Sequence, residues 1–120
     1  MVLSRPDFLL AVRQALRDYT RPELATNPLL RSRVVAEHAD GPPSAATLRA
    51  LLREAAATLR ATPRDRKLFR VLERTYLEPA ETQEAAAELL GLPFSTFRRH
   101  LAQAITGVTE WLWRREVAGN

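Results

Sequence analysis

The stretch Thr82-Gln83-Glu84-Ala85-Ala86-Ala87-Glu88-Leu89-Leu90-Gly91-Leu92-Pro93-Phe94-Ser95-Thr96-Phe97-Arg98-Arg99-His100-Leu101 reads as a short helix, a tight turn and a second helix. Thr82 is a good N-cap, because its hydroxyl can accept from a backbone N–H in the first turn. Gly91 supplies the positive φ needed to leave the first helix. Pro93 sits at the junction, where a missing N–H costs nothing. The second helix then presents Ser95, Thr96, Arg98 and Arg99 outward, with Phe97 and Leu101 inward. That is the layout of a helix-turn-helix, whose second helix can lie in a DNA major groove.

On these residues the chain resembles the helix-turn-helix of region four of bacterial sigma factors and of the related response-regulator output domains. Thr82, Ala87, Leu90, Gly91, Leu92, Thr96, Arg98 and Leu101 match that pattern, and the likeness covers residues 64–104 only. Two positions depart from it. Ala86 stands where the family prefers a larger aliphatic residue, which predicts a thinner contact between the two helices. Pro93 stands where the family prefers serine, which removes the usual cap of the recognition helix. The resemblance implies a double-stranded DNA partner. The residues that would contact it are Thr82 and Gln83 at the start of the first motif helix and Ser95, Thr96, Arg98, Arg99 and Gln103 on the second. Arginine can pair bidentately with guanine, and serine or threonine can reach phosphate or base. The competing account is an ordinary solvated helix face. His100 is a phosphate neighbour on the first account and a surface residue on the second.

Length and composition bound the rest. At 120 residues the chain is one domain, or one domain with an appended subdomain. It contains no run of about 18 apolar residues, so no membrane span is expected. Met1-Val2-Leu3-Ser4-Arg5-Pro6 lacks the basic-then-apolar layout of a secretory signal. Without cysteine there is neither a disulfide nor a thiolate metal site. A cytoplasmic setting fits all of this.

The net charge of +4 is carried largely by arginine, Lys67 being the only lysine. Its distribution says more than its total. Residues 1–43 carry +1, residues 44–77 carry +5, residues 78–93 carry −4 and residues 94–120 carry +2. Positive charge therefore precedes the motif and lies along its second helix. The acidic block of Glu78, Glu81, Glu84 and Glu88 must face away from phosphates in any duplex complex.

Apolar spacing predicts helices throughout, and there is no strand pattern. Phe8, Leu9, Val12, Leu16 and Tyr19 mark a first helix over 3–20, with Ser4 and Pro6 at its start. A short turn follows over 22–25. Asn27-Pro28 opens a helix over 28–38, with Leu29, Leu30, Val34 and Val35 inside. Asp40-Gly41-Pro42-Pro43 is the clearest breaker. Ser44 caps a helix over 44–60 striped by Leu48, Leu51, Leu52, Ala55 and Leu59. Thr62 and Asp65 form a capping arrangement for the next helix, which turns Leu68, Phe69, Leu72 and Tyr76 inward and ends before Pro79. The last helix is expected over 94–117, weakened in its middle by Gly107, which costs about 1 kcal/mol relative to alanine. The expected fold is all-α with about six helices. Residues 1–43 read as an amino-terminal helical subdomain for packing or assembly, and residues 44–120 as a helical domain holding the helix-turn-helix at 82–106.

Other clusters lie outside this motif. Arg64, Arg66, Lys67, Arg70 and Arg74 offer a basic face to a DNA backbone, an acidic protein or solvent. Trp111 and Trp113 are two apart and cannot share a face. One is expected to close the core, and the other to serve a homodimer or the domains of a larger parent protein. His38, with Glu37 and Asp40, lacks the further ligands a metal needs. No phosphate loop, nucleophile elbow or carboxylate pair appears, so no catalytic, cofactor or metal residue is assigned. The sequence thus points to a DNA-binding module of a bacterial transcriptional regulator or larger multidomain protein. The alternative is a non-catalytic adaptor module of a signalling or ATPase protein.

Overall fold

Caps and breakers set the helix boundaries. In the computed structural model, which describes residues 3–118, Ser4 accepts from the Asp7 N–H and opens α1 (Arg5–Arg17). Met1 and Val2, the first two residues of the stretch read for a secretory signal, lie outside the described residues. Ser44 and Thr47 form a reciprocal capping box at the start of α3 (Ala45–Ala57), which tightens into a 3-10 turn at Thr58–Arg60. Thr62 accepts from the Asp65 N–H at 3.2 Å and opens α4 (Pro63–Leu72). Thr82 accepts from the Ala85 N–H at 3.0 Å and opens α5 (Gln83–Leu89). The longest element is α6 (Phe94–Ala118). With α2 (Arg33–His38), these make an all-α fold of six α-helices among the described residues.

Three sequence expectations are corrected. The helix expected over 28–38 is broken. Pro28–Arg31 is a 3-10 turn, and Ser32 then takes an extended conformation and caps α2 through the Val35 N–H. A cap residue in the middle of an apolar pattern ends one helix and begins another. Leu9, expected inside, is 37 % exposed, because α1 turns its Phe8–Val12–Leu16 stripe to the core and Leu9 falls off that stripe. Tyr76, also expected inside, is only half-buried. After Leu72 the helix widens into a π turn, Glu73–Leu77, closed by the Glu78 N–H to the Glu73 carbonyl at 2.8 Å. The wider turn breaks the α-helical phase on which Tyr76 was placed.

One cluster of buried side chains runs from Phe8 through Val35, Leu52 and Leu72 to Leu112. Residues 1–43 therefore share their core with residues 44–120, although Asp40–Pro43 is a loop between them. Burying apolar side chains in common is what holds the two parts together, at about 25 cal/mol per Å² of apolar surface removed from water. α6 is the axis of the assembly. Phe97, Leu101, Ala104, Ile105, Val108 and Leu112 form its buried stripe, and it packs against α1, α2, α3, α4 and α5. Gly107 lets it pass close to the Thr58–Arg60 turn. A Cβ there would lie 3.1 Å from Leu59 Cδ2.

Polar groups tie the segments at specific points. Asn27 is buried, donates from Nδ2 to the Ala11 carbonyl at 3.0 Å, and accepts from the Leu29 N–H at 2.8 Å. Glu116, near the end of α6, is buried against the start of α2. Its carboxylate accepts from the Val34 N–H at 2.9 Å and the Arg33 N–H at 3.3 Å. A carboxylate at a helix start satisfies unpaired donors and complements the helix dipole. Among the described residues, no helix is long and apolar enough to cross a membrane.

Candidate nucleic-acid interface

The turn between α5 and α6 is built as the sequence anticipates. Gly91 has a φ of 67°, a conformation that other residues adopt only at a cost. The Gly91 N–H reaches the Glu88 carbonyl and the Leu92 N–H the Ala87 carbonyl, which closes α5. Pro93 brings no side-chain acceptor to the start of α6, and its carbonyl takes the Phe97 N–H at 2.9 Å. In place of a polar cap, Phe94 and Phe97 stack with ring centroids 6.1 Å apart. Ala86 and Ala87 are buried, and α5 touches α6 more lightly than α4 does.

This turn fixes the rotation of α6. Phe97 and Leu101 point into the core, while Ser95, Arg98, Arg99 and Gln103 are exposed. Thr96 is half-buried. Thr82 is exposed and Gln83 half-buried at the start of α5. The Arg98 guanidinium lies 5.9 Å from the centre of the exposed Phe94 ring, a cation–π distance. Among the described residues, the ion pairs join His38 to Glu54 and Arg114 to Glu110, so Arg98 and Arg99 face solvent without a carboxylate partner.

His100 is a correction. Both accounts of the sequence leave it at the surface, yet it is 8 % exposed and its Nδ1 has no hydrogen-bond partner. Burial lowers its pKa below the usual histidine range, and the positive charges of Lys67 and then Arg99 add to the effect. A neutral imidazole is thereby favoured. Lys67 on α4 and Arg99 on α6 both act on this buried ring, and α4 packs against α6. Arg64, Arg66 and Arg70 are exposed on α4 near Lys67. Sequence spacing found each basic group, but the pairing of α4 with α6 needed the tertiary structure.

Two of the four acidic residues, Glu81 and Glu88, line a separate groove with Arg74, Pro79, Ala85 and Leu89, and no residue of α6 contributes to it. The two tryptophans both turn out half-buried. Trp113 meets Phe8 edge-on at 5.1 Å, and Trp111 is covered by the Arg115 guanidinium at 3.9 Å. His38 Nδ1 is 3.5 Å from Glu54 Oε2, a link between α2 and α3. No protein-family model matches this chain, and comparison with curated proteins and with solved structures gives no match either.

Proposed function

We propose that this chain is a DNA-binding helix-turn-helix module of the kind that sigma factor region four exemplifies, serving a bacterial transcriptional regulator or a larger multidomain protein in the cytoplasm. The observation that carries the reading is the rotation of α6. Its exposed side holds Ser95, Arg98, Arg99 and Gln103, beside the basic face of α4. In this reading the first three turns of α6 enter the major groove. Arg98, Arg99 and Gln103 meet base edges or phosphates, Thr82 and Gln83 approach the backbone, and α4 adds phosphate contacts. The module binds and positions; it does not catalyse. A unit of this size reads few base pairs, so high specificity calls for a second copy or a parent chain. Trp111, half-buried under Arg115, is the aromatic available for that contact.

The test is affinity for a random-sequence duplex as a function of salt, followed by selection from a random pool. Each phosphate neutralised adds about 0.9 to the slope of log affinity against log salt. Changing Arg98→Ala with Arg99→Ala should abolish measurable binding, or lower that slope by about 1 for each arginine that meets a phosphate. A duplex affinity that is absent at low salt, or unmoved by the double change, would sink the proposal.

One observation favours a second reading, the adaptor. Leu89 is 63 % exposed beside Glu81 and Glu88 in the groove along α5, a surface suited to a protein rather than to phosphate. An adaptor would show almost no duplex binding even at low salt.

A further inference from the structure

The end of α1 and the π turn enclose a cleft of about 500 Å³. Arg17 and Arg21 line it from one side, Arg74 and Tyr76 from another, and Thr82 and Gln83 from the start of α5. Three arginines thus line one concavity whose one acidic lining residue is Glu81, and Arg74 also borders the adjoining groove of Glu81 and Glu88. Like charges gathered around a concave surface repel one another and raise the local positive potential. The protein itself provides no ion pair for any of the three, since the ion pairs among the described residues lie elsewhere. Asp18, next to Arg17 in the chain, is buried and accepts from Gln14 Nε2 at 2.9 Å. Complementing the helix dipole explains Arg17, which lies in the last turn of α1. It does not explain Arg21 or Arg74.

The π turn is the second observation. Such turns are rare, and they concentrate at functional sites. Here the turn supplies Arg74, Thr75 and Tyr76 to the cleft wall. Arg74 is half-buried and borders the cavity. The Tyr76 hydroxyl has no hydrogen-bond partner among the described residues. Burial pushes its pKa up, and the nearby charges of Arg17 and Arg13 partly offset that. The Thr82 oxygen already accepts from the Ala85 N–H, which leaves its hydroxyl hydrogen to give.

We infer that this cleft binds a small-molecule anion of the pyrophosphate or phosphate-ester class, held by Arg17, Arg21 and Arg74 with Tyr76 as a further donor. Planar guanidiniums match phosphate oxygens bidentately. The cleft falls within the range of about 300–1,000 Å³ typical of small-molecule sites. It is larger than one phosphate needs, which leaves room for a second phosphate or an organic group against Pro79 and Ala80. The inference goes beyond the nucleic-acid reading: Thr82 and Gln83, given there to the DNA backbone, also line this cleft, but Arg17 and Arg21 have no part in that reading.

The experiment is calorimetric titration of the full 120-residue chain with inorganic pyrophosphate, alongside its melting temperature. Pyrophosphate should bind and raise the melting temperature. Arg17→Ala with Arg74→Ala should weaken binding by about tenfold or more, as loss of charged hydrogen bonds predicts, and Arg21→Ala alone should weaken it less. Arg31→Ala with Arg114→Ala, which removes the same charge outside the cleft, should leave binding intact. Circular dichroism checks that every variant is folded. If the Arg17/Arg74 variant does not fold, the comparison of Arg21→Ala and Tyr76→Phe with the Arg31/Arg114 control decides. Absence of binding at millimolar pyrophosphate, or equal loss in the control, overturns the proposal. Addition of a random duplex separates the two sources of phosphate. Pyrophosphate retained in its presence supports a free small-molecule ligand, and pyrophosphate displaced overturns that and assigns the cleft to a nucleic-acid backbone.

Discussion

The two ends of α6 belong to one continuous helix and do different work. At its amino end one side is packed by Phe97 and Leu101 while the other carries Arg98 and Arg99 into solvent. At its carboxy end one polar and one aromatic side chain are committed to the fold. Glu116 caps α2, and Trp113 packs on Phe8. The difference teaches where substitution should be tolerated. A group that faces water can be exchanged with little effect on folding, whereas a polar group that satisfies distant backbone donors cannot.

The largest effect should come from the packed side of the amino end. Leu101→Ala removes a buried side chain and should cost about 2–5 kcal/mol in denaturant unfolding. A loss near zero would mean that α6 is rotated so that Leu101 faces solvent. Next comes the carboxy end. Glu116→Ala leaves the Arg33 and Val34 N–H groups without their acceptor and should cost about 1–3 kcal/mol. Glu116→Gln keeps one oxygen acceptor and should lose less. If Gln and Ala cost the same, the carboxylate charge rather than the hydrogen bonds holds α2.

His100 sharpens the comparison through pH. Its folded pKa is depressed, so the unfolded chain takes up the proton first as the solution is acidified. The stability due to the neutral imidazole is full above the unfolded value of about 6.5 and is lost as pH falls below it toward the folded value. Thermal melting from about pH 7 to about pH 5 should therefore show a steeper fall for the native chain than for His100→Gln. Parallel curves would place the ring in water. The smallest effect should be that of Arg98→Ala with Arg99→Ala on folding, within about 0.5 kcal/mol. A larger loss would mean that these arginines support the fold and are not free for a partner.

Much of the helical layout is legible in the sequence because caps and breakers act locally. Ser4, Ser44, Thr62 and Thr82 each cap the helix expected of them, and Gly91 has the positive φ that its turn demands. Ser32 shows how such reading fails. An apolar stripe over 28–38 masks a cap in its middle, and the break becomes plain only when Glu116 is seen holding the new helix start. The candidate interface divides in the same way. The outward arginines of α6 follow from helical spacing, since every residue at a given phase shares a face. The packing of α4 against α6 over a buried His100 does not.

The sequence by itself determined the all-α class, the main helix starts, the turn at Gly91 and the inward stripe of α6, because each depends on residues only a few positions apart. Tertiary structure alone decided that Glu116 reaches α2, that His100 is enclosed, that a π turn follows Leu72, and that Arg17, Arg21 and Arg74 line one cleft. These relations join segments tens of residues apart. They are set by which faces pack together in the shared core, and no local period or cap encodes them.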